Sequence, residues 1–291
     1  MTRDELVAGA FNAIQHGSKS FRAASRLFDR ETRERAWLLY CWCRHCDDVC
    51  DGQALGMGGI ERGDVSQLRN KTDLAVAGEL IGELPFAALR QLLVERPIPT
   101  HYLHEHLDGF DLDAAEWSPR NEADLIRYCY HVAGTVGCMM AIVMGVPTGD
   151  QETLDRAADL GIAFQLSNIA RDIREDHENG RCYIPQEWLD ELQIPRDRLL
   201  DSAHRSGLLV IVGRIVDLVD CYDASARKGV SRLSFRSRMA VLSAARIYGA
   251  IGRRVGQLGT AAWDRRVTIS RTRKLGFLLP SFAEAVALRH H

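Results

Sequence analysis

Aspartates recur at helical spacing in two segments of this 291-residue chain. In the first, residues 36–51, the sequence AWLLYCWCRHCDDVCD spaces Tyr40, Arg44, Asp47 and Asp51 by four, three and four positions. Side chains at these intervals stack on one face of a helix, so the two carboxylates lie on consecutive turns. Carboxylates facing a pocket repel each other, and a cation between them removes that repulsion. The pattern therefore favours a metal-binding face.

The second segment, residues 160–176, reads LGIAFQLSNIARDIRED and carries a narrow polar stripe. Gln165, Asn168, Asp172 and Asp176 occupy positions i, i+3, i+7 and i+11, while apolar side chains cover most of the remaining surface. A solvated helix has a wider polar face with mixed charge. The stripe therefore predicts a polar wall inside a cavity.

Carboxylate and amide oxygens, without His or Cys, suit Mg²⁺ or Mn²⁺ better than Zn²⁺. Mg²⁺ takes one or two carboxylates from the protein and completes its coordination with water and substrate phosphate. Two such stripes facing each other would hold a diphosphate through metal ions. Each motif has an arginine beside it, Arg44 or Arg171, which favours this interpretation. A pair of solvated helix faces is the alternative that the residues alone leave open.

Four of the eight cysteines, Cys41, Cys43, Cys46 and Cys50, crowd into the first segment and raise the question of a zinc site. A four-thiolate zinc site normally draws ligands from two chain segments, whereas one continuous helix scatters these thiols around its axis. Reduced, buried thiols are the preferred interpretation.

Composition restricts the possible partners. The 37 basic and 39 acidic residues nearly cancel, so no nucleic-acid partner is expected. The N-terminal residues show no apolar run of signal-peptide type, and the apolar stretch 207–219 is interrupted by Arg214 and Asp217. That stretch is also shorter than the roughly 20 residues that span a bilayer. A cytoplasmic location is expected.

Helical periodicity dominates the chain, and strand signals are nearly absent. The pattern predicts an all-α protein with one domain over residues 1–291. The expected helices cover residues 3–15, 31–51, 72–95, 99–112, 121–145, 150–177, 186–192, 206–227, 236–258 and 270–287. The glycine-rich stretch 52–63 follows the first acidic motif directly and is interpreted as a flap beside a site or an ordinary surface loop.

With their neighbours, these motifs resemble the squalene and phytoene synthase family. Residues 160–185, LGIAFQLSNIARDIREDHENGRCYIP, are similar to one family signature, and residues 128–137, YCYHVAGTVG, are similar to the other. GSKSF at 17–21, together with Tyr40 and CRHCDDVCD at 43–51, matches the N-terminal half of the active site. The similarity covers nearly the whole chain, and the enterobacterial-type phytoene synthases are the nearest branch.

The resemblance implies a class I isoprenoid synthase helical bundle with a central active-site cavity and bound Mg²⁺, for which Mn²⁺ could substitute. The implied metal ligands, which include the catalytic aspartates, are Asp47, Asp51, Asn168, Asp172 and Asp176. The implied diphosphate contacts are Gly17, Ser18, Lys19, Ser20, Tyr40, Arg44, Gln165 and Arg171, with Tyr248 and Arg265 or Arg266 near the C-terminus. For most of the basic residues at 265–274 a solvated face is an equal alternative.

Two further features of the second signature bear on a prenyl substrate. Tyr128 could steer a carbocation or the final proton, or it could be a core tyrosine with a satisfied hydroxyl. The small residues Ala133, Gly134 and Gly137 could let a polyprenyl tail pass, or they could serve close helix packing.

The family reaction joins two geranylgeranyl diphosphates head to head, through prephytoene diphosphate, to give phytoene. No NADPH is expected, because hydride transfer belongs to the squalene branch. Loose membrane contact for product release and handover to a phytoene desaturase are expected as well.

Three alternatives stay open at this point. Farnesyl diphosphate would give squalene, dehydrosqualene or presqualene diphosphate. A non-catalytic assembly module is disfavoured because both DxxxD motifs are intact. A chain-elongating or cyclising enzyme is compatible with DDVCD, but the segment that begins at Tyr128 argues against it, as do Arg181, Tyr183 and Pro185 after the second motif.

Overall fold

The computed structural model describes residues 1–17, 19–51, 53–54, 57–58 and 63–288, and these residues are mostly helical. They form fourteen α-helices: α1 (Arg3–Gly17), α2 (Lys19–Ser25), α3 (Arg30–Asp51), α4 (Val65–Val76), α5 (Leu84–Glu95), α6 (Thr100–Ala114), α7 (Glu122–Cys129), α8 (Thr135–Val143), α9 (Gln151–Glu178), α10 (Gln186–Glu191), α11 (Arg205–Gly229), α12 (Phe235–Leu258), α13 (Arg271–Gly276) and α14 (Leu278–Ala287). The predicted all-α class is confirmed.

Shorter elements connect these helices. One π-helical turn, Tyr130–Gly134, joins α7 to α8. Two-residue strands β1 (Gln53–Ala54) and β2 (Met57–Gly58) pair antiparallel within the glycine-rich stretch, whose other residues up to 62 lie outside the described ranges. Turns of 3₁₀-helix occur at Arg196–Arg198, Ser202–His204, Val230–Arg232 and Gly259–Ala261.

The predicted boundaries were wrong in three places. Residues 72–95 were predicted as one helix, but Gly78 adopts φ of 81° and Pro85 lies in the first turn of α5, so α4 and α5 are separate. Helix α2 was missed because seven residues are too few to show a period. The predicted helix 270–287 is divided at Phe277 into α13 and α14.

Two large apolar cores hold the bundle together. The first gathers Trp42, Phe86 and Leu103 from α3, α5 and α6, and the second gathers Ile169 and Ile211 from α9 and α11. Helix α9 contributes residues to both cores. A 28-residue helix at this position can carry a polar stripe through the middle of the protein.

The run Glu122–Val143, which comprises α7, the π turn and α8, is long and apolar enough to cross a membrane by length and composition. In this structure half of that run is buried, and Leu125, Cys129 and Met139 are fully enclosed. It is therefore a core helix of the bundle.

Glycines bring this run against α9. A Cβ added at Gly137 would lie 2.1 Å from the carbonyl oxygen of Ala157, and one added at Gly161 would lie 2.1 Å from that of Ala133. No side chain fits at such distances, so close packing accounts for Gly137.

Candidate active site

A cavity of about 310 Å³ runs along α9. Thr153, Ala157, Leu160, Phe164 and Asn168 line it on successive turns of that helix. At a rise of 1.5 Å per residue, the distance from Thr153 to Asn168 is about 22 Å. The remaining wall is mostly small and apolar and comes mainly from α2, α8, α11, α12, the π turn and the 3₁₀ turn Val230–Arg232. The cavity is therefore elongated and suited to a hydrocarbon chain.

Polar side chains lie at both ends of this cavity, with Thr153 and Arg156 at one end and an amide-rich group at the other. Gln165 and Asn168 line it, and the amide nitrogen of Asn168 lies 3.5 Å from Oε1 of Gln165. Tyr248 from α12 closes the same end, with its ring stacked on Phe164 at 4.1 Å between centroids. The predicted polar wall therefore exists for the first half of the stripe.

Asp172 continues the stripe beyond the residues that line the cavity. Its carboxylate accepts hydrogen bonds from the neighbouring Arg171 and lies 3.3 Å from Nε of Arg266. A second guanidinium nitrogen of Arg266 lies 3.2 Å from Glu175. The structure thus brings Arg266 to the second acidic motif although it is 94 residues away in sequence.

Asp176 lies one turn further along α9, and most of the charged groups near it are negative. Burial, and next the charge of Asp172, raise the pKa of Asp176 to about 7, although Arg181 opposes the shift. Positive charge placed beside this carboxyl group would lower its pKa again. The end of the stripe is therefore electrostatically prepared for a cation.

The first acidic motif follows its predicted face on α3. Arg44 donates to Asp47 Oδ2 at 3.1 Å and also pairs with Asp48. The Asp48 side chain is only 9% exposed, whereas that of Asp47 is 47% exposed. Asp48 therefore anchors the arginine from the core side, a role that the DxxxD spacing did not predict. Asp47 remains accessible to a ligand.

Tyr40 links the first acidic motif to Tyr248 of α12. Its ring stacks on Phe21, which lines the cavity, at 5.3 Å. Burial raises the pKa of Tyr40, and Arg44, Asp47, Asp48 and Tyr248 all act on the same hydroxyl. The α3 motif and Tyr248 therefore approach the same end of the cavity.

Gly17 leaves room for the side chain of Tyr40, because a Cβ at residue 17 would lie 2.3 Å from the Tyr40 hydroxyl oxygen. Of the other predicted residues in this region, Ser18 lies outside the described residues, as do the side chains of Lys19, Ser20 and Asp51.

Tyr128 is not among the residues that line the cavity. Its hydroxyl donates to Asp113 at 3.0 Å, and its ring stacks on Tyr183 at 4.7 Å in the second core. Tyr183 donates to the same carboxylate at 2.8 Å. Sequence reasoning missed Asp113, because no motif marks it. The catalytic role implied for Tyr128 stays a prediction.

The predicted metal ligands supply oxygen only. Among the described residues, no three His, Cys, Asp or Glu side chains converge into a closed metal cage. Magnesium does not require one, because it takes one or two carboxylates and fills its remaining positions with substrate and water. Asp172 and Asp176 therefore fit a divalent cation that arrives together with a diphosphate.

The cysteine group on α3 lies in the first core. Cys41, Cys46 and Cys50 are buried, and Cys43 is half-buried. Burial raises the pKa of Cys41 to about 12 and that of Cys46 well above its usual value. Burial therefore favours the protonated form of Cys41 and Cys46, and the enclosed positions agree with the preferred interpretation.

Comparison with known proteins identifies the family. The squalene/phytoene synthase model matches residues 14–273. The chain belongs to the squalene/phytoene synthase family. Within this family it is 41% identical to 15-cis-phytoene synthase of Pantoea ananas, over 99% of this chain and 95% of that protein. It is 43% identical to 15-cis-phytoene synthase of Enterobacter agglomerans, over 95% of each. The resemblance stated from the sequence is confirmed.

Solved structures share the same fold. A dehydrosqualene synthase in complex with a ligand superposes with a TM-score of 0.87 at 24% identity, covering 98% of each chain. A squalene synthase from Alicyclobacillus acidocaldarius gives 0.74 at 21% identity, covering 87% of this chain and 95% of that one. The predicted isoprenoid synthase bundle with a central cavity is therefore correct.

Proposed function

We propose that this protein is a prenyltransferase that joins two geranylgeranyl diphosphates head to head and releases phytoene. The observation that carries the proposal is the elongated apolar cavity with diphosphate-type chemistry at one end. The relatives from Pantoea and Enterobacter, which align over at least 95% of this chain, are 15-cis-phytoene synthases. A third relative, at 41% identity, is the 15-cis-phytoene synthase of a Paracoccus strain. Carotenoid biosynthesis is the corresponding pathway.

The substrate class follows from the shape and polarity of the site. A prenyl diphosphate has a long hydrocarbon tail and a dianionic or more highly charged head. The tail fits the apolar wall along α9, and the head fits the end formed by Gln165, Asn168 and Tyr248. Farnesyl diphosphate has the same head and a shorter tail, so it is the alternative substrate that an assay must include.

Dependence on a divalent metal ion follows from membership of the family, and Mg²⁺ is the ion that the donor set favours, with Mn²⁺ as a substitute. The ligands would be Asp47 and Asp51 from α3 and Asn168, Asp172 and Asp176 from α9. When bound, the metal supplies positive charge that stabilises the leaving diphosphate.

The arginines neutralise the remaining charge of the diphosphates. Arg44, Arg171 and Arg266 are each held beside an aspartate, so their guanidinium groups are oriented before the substrate arrives. Preorganised donors of this kind stabilise charge without reorganisation during the reaction. The first ionisation of an allylic diphosphate is assisted in this way.

The cavity wall protects the carbocation. Most of its lining carries no nucleophilic atom, and the stacked rings of Phe164 and Tyr248 present aromatic surface beside the polar end. Aromatic faces attract cations, and exclusion of water prevents capture of the intermediate. The allylic double bond of the second geranylgeranyl diphosphate attacks the cation, and loss of a proton closes the ring to give a cyclopropylcarbinyl diphosphate that keeps the second diphosphate group. A second ionisation, rearrangement and proton loss give phytoene, so two diphosphates and two protons leave in total.

Three further properties belong to the same proposal. The reaction needs no hydride, so NADPH is not required. The enzyme is cytoplasmic with peripheral membrane contact, because its hydrocarbon product is insoluble in water. The product passes to a phytoene desaturase.

The test is incubation of purified protein and MgCl₂ with geranylgeranyl or farnesyl diphosphate, with and without NADPH, followed by mass analysis of the extract. Phytoene from geranylgeranyl diphosphate alone is the expected result. A thirty-carbon product only would move the assignment to the squalene branch. EDTA-treated protein serves as the blank and shows which product depends on the metal. Absence of any hydrocarbon with either substrate would refute catalysis.

A further inference from the structure

The two short C-terminal helices expose an apolar surface. Leu275, Leu279 and Phe282 are 65%, 78% and 51% exposed. They are spaced by four and three residues, and Phe277 at the junction of α13 and α14 keeps right-handed helical dihedrals. The three side chains therefore point the same way from α13 and α14. We refer to these three residues as the C-terminal apolar face.

The opposite side of α14 is fastened to the bundle. Ser281 and Ala285 are fully buried, and Arg238 donates to the carbonyl oxygen of Ala285 at 2.9 Å. Glu284 lies 2.7 Å from Arg227 and 2.5 Å from Arg246. Helix α14 is thus held in a fixed orientation, and the C-terminal apolar face is not the side that folding buries.

The sequence of this segment is basic. Arg271, Arg273 and Lys274 precede Leu275 directly, and residues 271–288 contain a single acidic residue, Glu284. That glutamate already pairs with two arginines on the opposite side. Exposed apolar side chains beside basic residues are the composition of helices that lie in the interface of an anionic bilayer.

The same helices adjoin the polar end of the cavity. Phe277 and Tyr248 pack against one small cluster formed by Ala250, Ile251 and Ile269. Tyr248 lines the cavity and stacks on Phe164. The junction of α13 and α14 therefore lies close to the side chain of Tyr248, which lines the cavity.

We propose that the C-terminal apolar face docks this protein onto an anionic lipid surface. Its role in product release rests on the function proposed above, whereas the docking itself does not. A second copy of the chain is the disfavoured occupant, because pairing two such faces would bring their basic residues together.

Vesicle co-sedimentation tests this surface directly, in the absence of substrate. The probe is phosphatidylcholine vesicles with and without phosphatidylglycerol. Leu279→Glu and Phe282→Glu are each expected to weaken binding to the anionic vesicles by at least about tenfold. The matched controls are Leu80→Glu and Val94→Glu, which alter side chains that are 87% and 77% exposed elsewhere, and they should bind like the wild type.

The charge contribution has its own variants. Arg273→Gln combined with Lys274→Gln should reduce binding to anionic vesicles, and raised salt should reduce wild-type binding in the same direction. Leu275→Gln is a milder substitution that keeps the comparison usable if a glutamate variant misfolds, and helical content by circular dichroism identifies such a case.

Equal vesicle binding by wild type and the face variants would overturn the proposal. So would a wild-type dimer in solution that Leu279→Glu dissociates while vesicles are not bound at all. Hydrocarbon formation is measured separately in detergent solution. A chain that binds vesicles but forms no phytoene would refute the proposed function and leave the docking surface intact.

Discussion

The hydroxyl of Tyr128 lies 3.0 Å from Oδ2 of Asp113, and Tyr183 donates to the other oxygen of that carboxylate at 2.8 Å. Asp113 is on α6, Tyr128 is on α7, and Tyr183 follows α9. One carboxylate therefore ties the segment after the second acidic motif to two other helices. The charge of Asp113 also raises the pKa of Asp176, as a smaller contribution than burial and Asp172.

Substitution of the two tyrosines separates a structural role from a catalytic one. Tyr183→Phe and Tyr128→Phe each remove one donor from the half-buried carboxylate of Asp113 and keep the stacked rings, so each should cost about 1.5–3 kcal/mol of the free energy of unfolding. Urea denaturation measures this cost. If Tyr128 acts in the chemistry, its variant should also lose turnover well beyond the loss in Tyr183→Phe. Equal losses would assign both tyrosines to positioning.

The acidic motifs are tested by removal of charge at constant size. Asp47→Asn and Asp172→Asn are each expected to abolish turnover and keep the helical content, because they remove metal-binding charge rather than packing. Phytoene formation and circular dichroism are the two measurements. Asp217→Asn, at an exposed position on α11, is the matched control. If both motif variants retained most of the wild-type activity, the metal assignment would be wrong.

The close approach of α9 to the π turn predicts a stability effect at Gly161. A Cβ there meets the backbone oxygen of Ala133 at 2.1 Å, so Gly161→Ala should destabilise by about 1–3 kcal/mol. Gly213 lies within α11 with nothing within 4 Å of its added Cβ, and Gly213→Ala should stabilise by about 0.5–1 kcal/mol. Thermal unfolding of the two variants compares them directly. Opposite signs are the expected result, and equal shifts would contradict the packing argument.

The parts of the candidate site that repeat at helical spacing along one helix could be predicted from the sequence. Gln165 and Asn168 line the cavity because the stripe on α9 is in helical register, and the sequence shows that register. Arg266 was proposed from the resemblance, and its contact with Asp172 depends on how residues 263–270 return to α9. The spacing of residues along a helix does not predict the path of this connecting segment. Asp48 and Asp113 were missed for the same reason, because each is defined by a partner that the fold brings to it.

The fold was predicted at the level of class and long helices. Helices α3, α9, α11 and α12 have periods long enough to read, and their predicted extents agree with the structure within a few residues. Breaks set by a single residue were not predicted. The positive φ of Gly78 ends α4, and such a dihedral becomes necessary only when α5 must pack back against α3.

Glu95 predicts a pH dependence of stability that is separate from the active site. Burial alone would raise its pKa, but hydrogen bonds from Arg3, Gln91 and Arg35 outweigh burial and lower the pKa to about 2. The unfolded chain binds a proton at this glutamate near its ordinary value of 4.5, so the stabilisation is present above that pH and is lost as pH falls toward 2. Glu95→Gln should remove about 2–3 kcal/mol at neutral pH and flatten this acid limb. Denaturant unfolding at several pH values between about 6 and 3 measures both effects.

The control is Glu79→Gln, at an exposed position, which should leave the pH profile of stability unchanged. If Glu95→Gln had the same profile as the wild type, the ion pairs of Glu95 would not stabilise the fold.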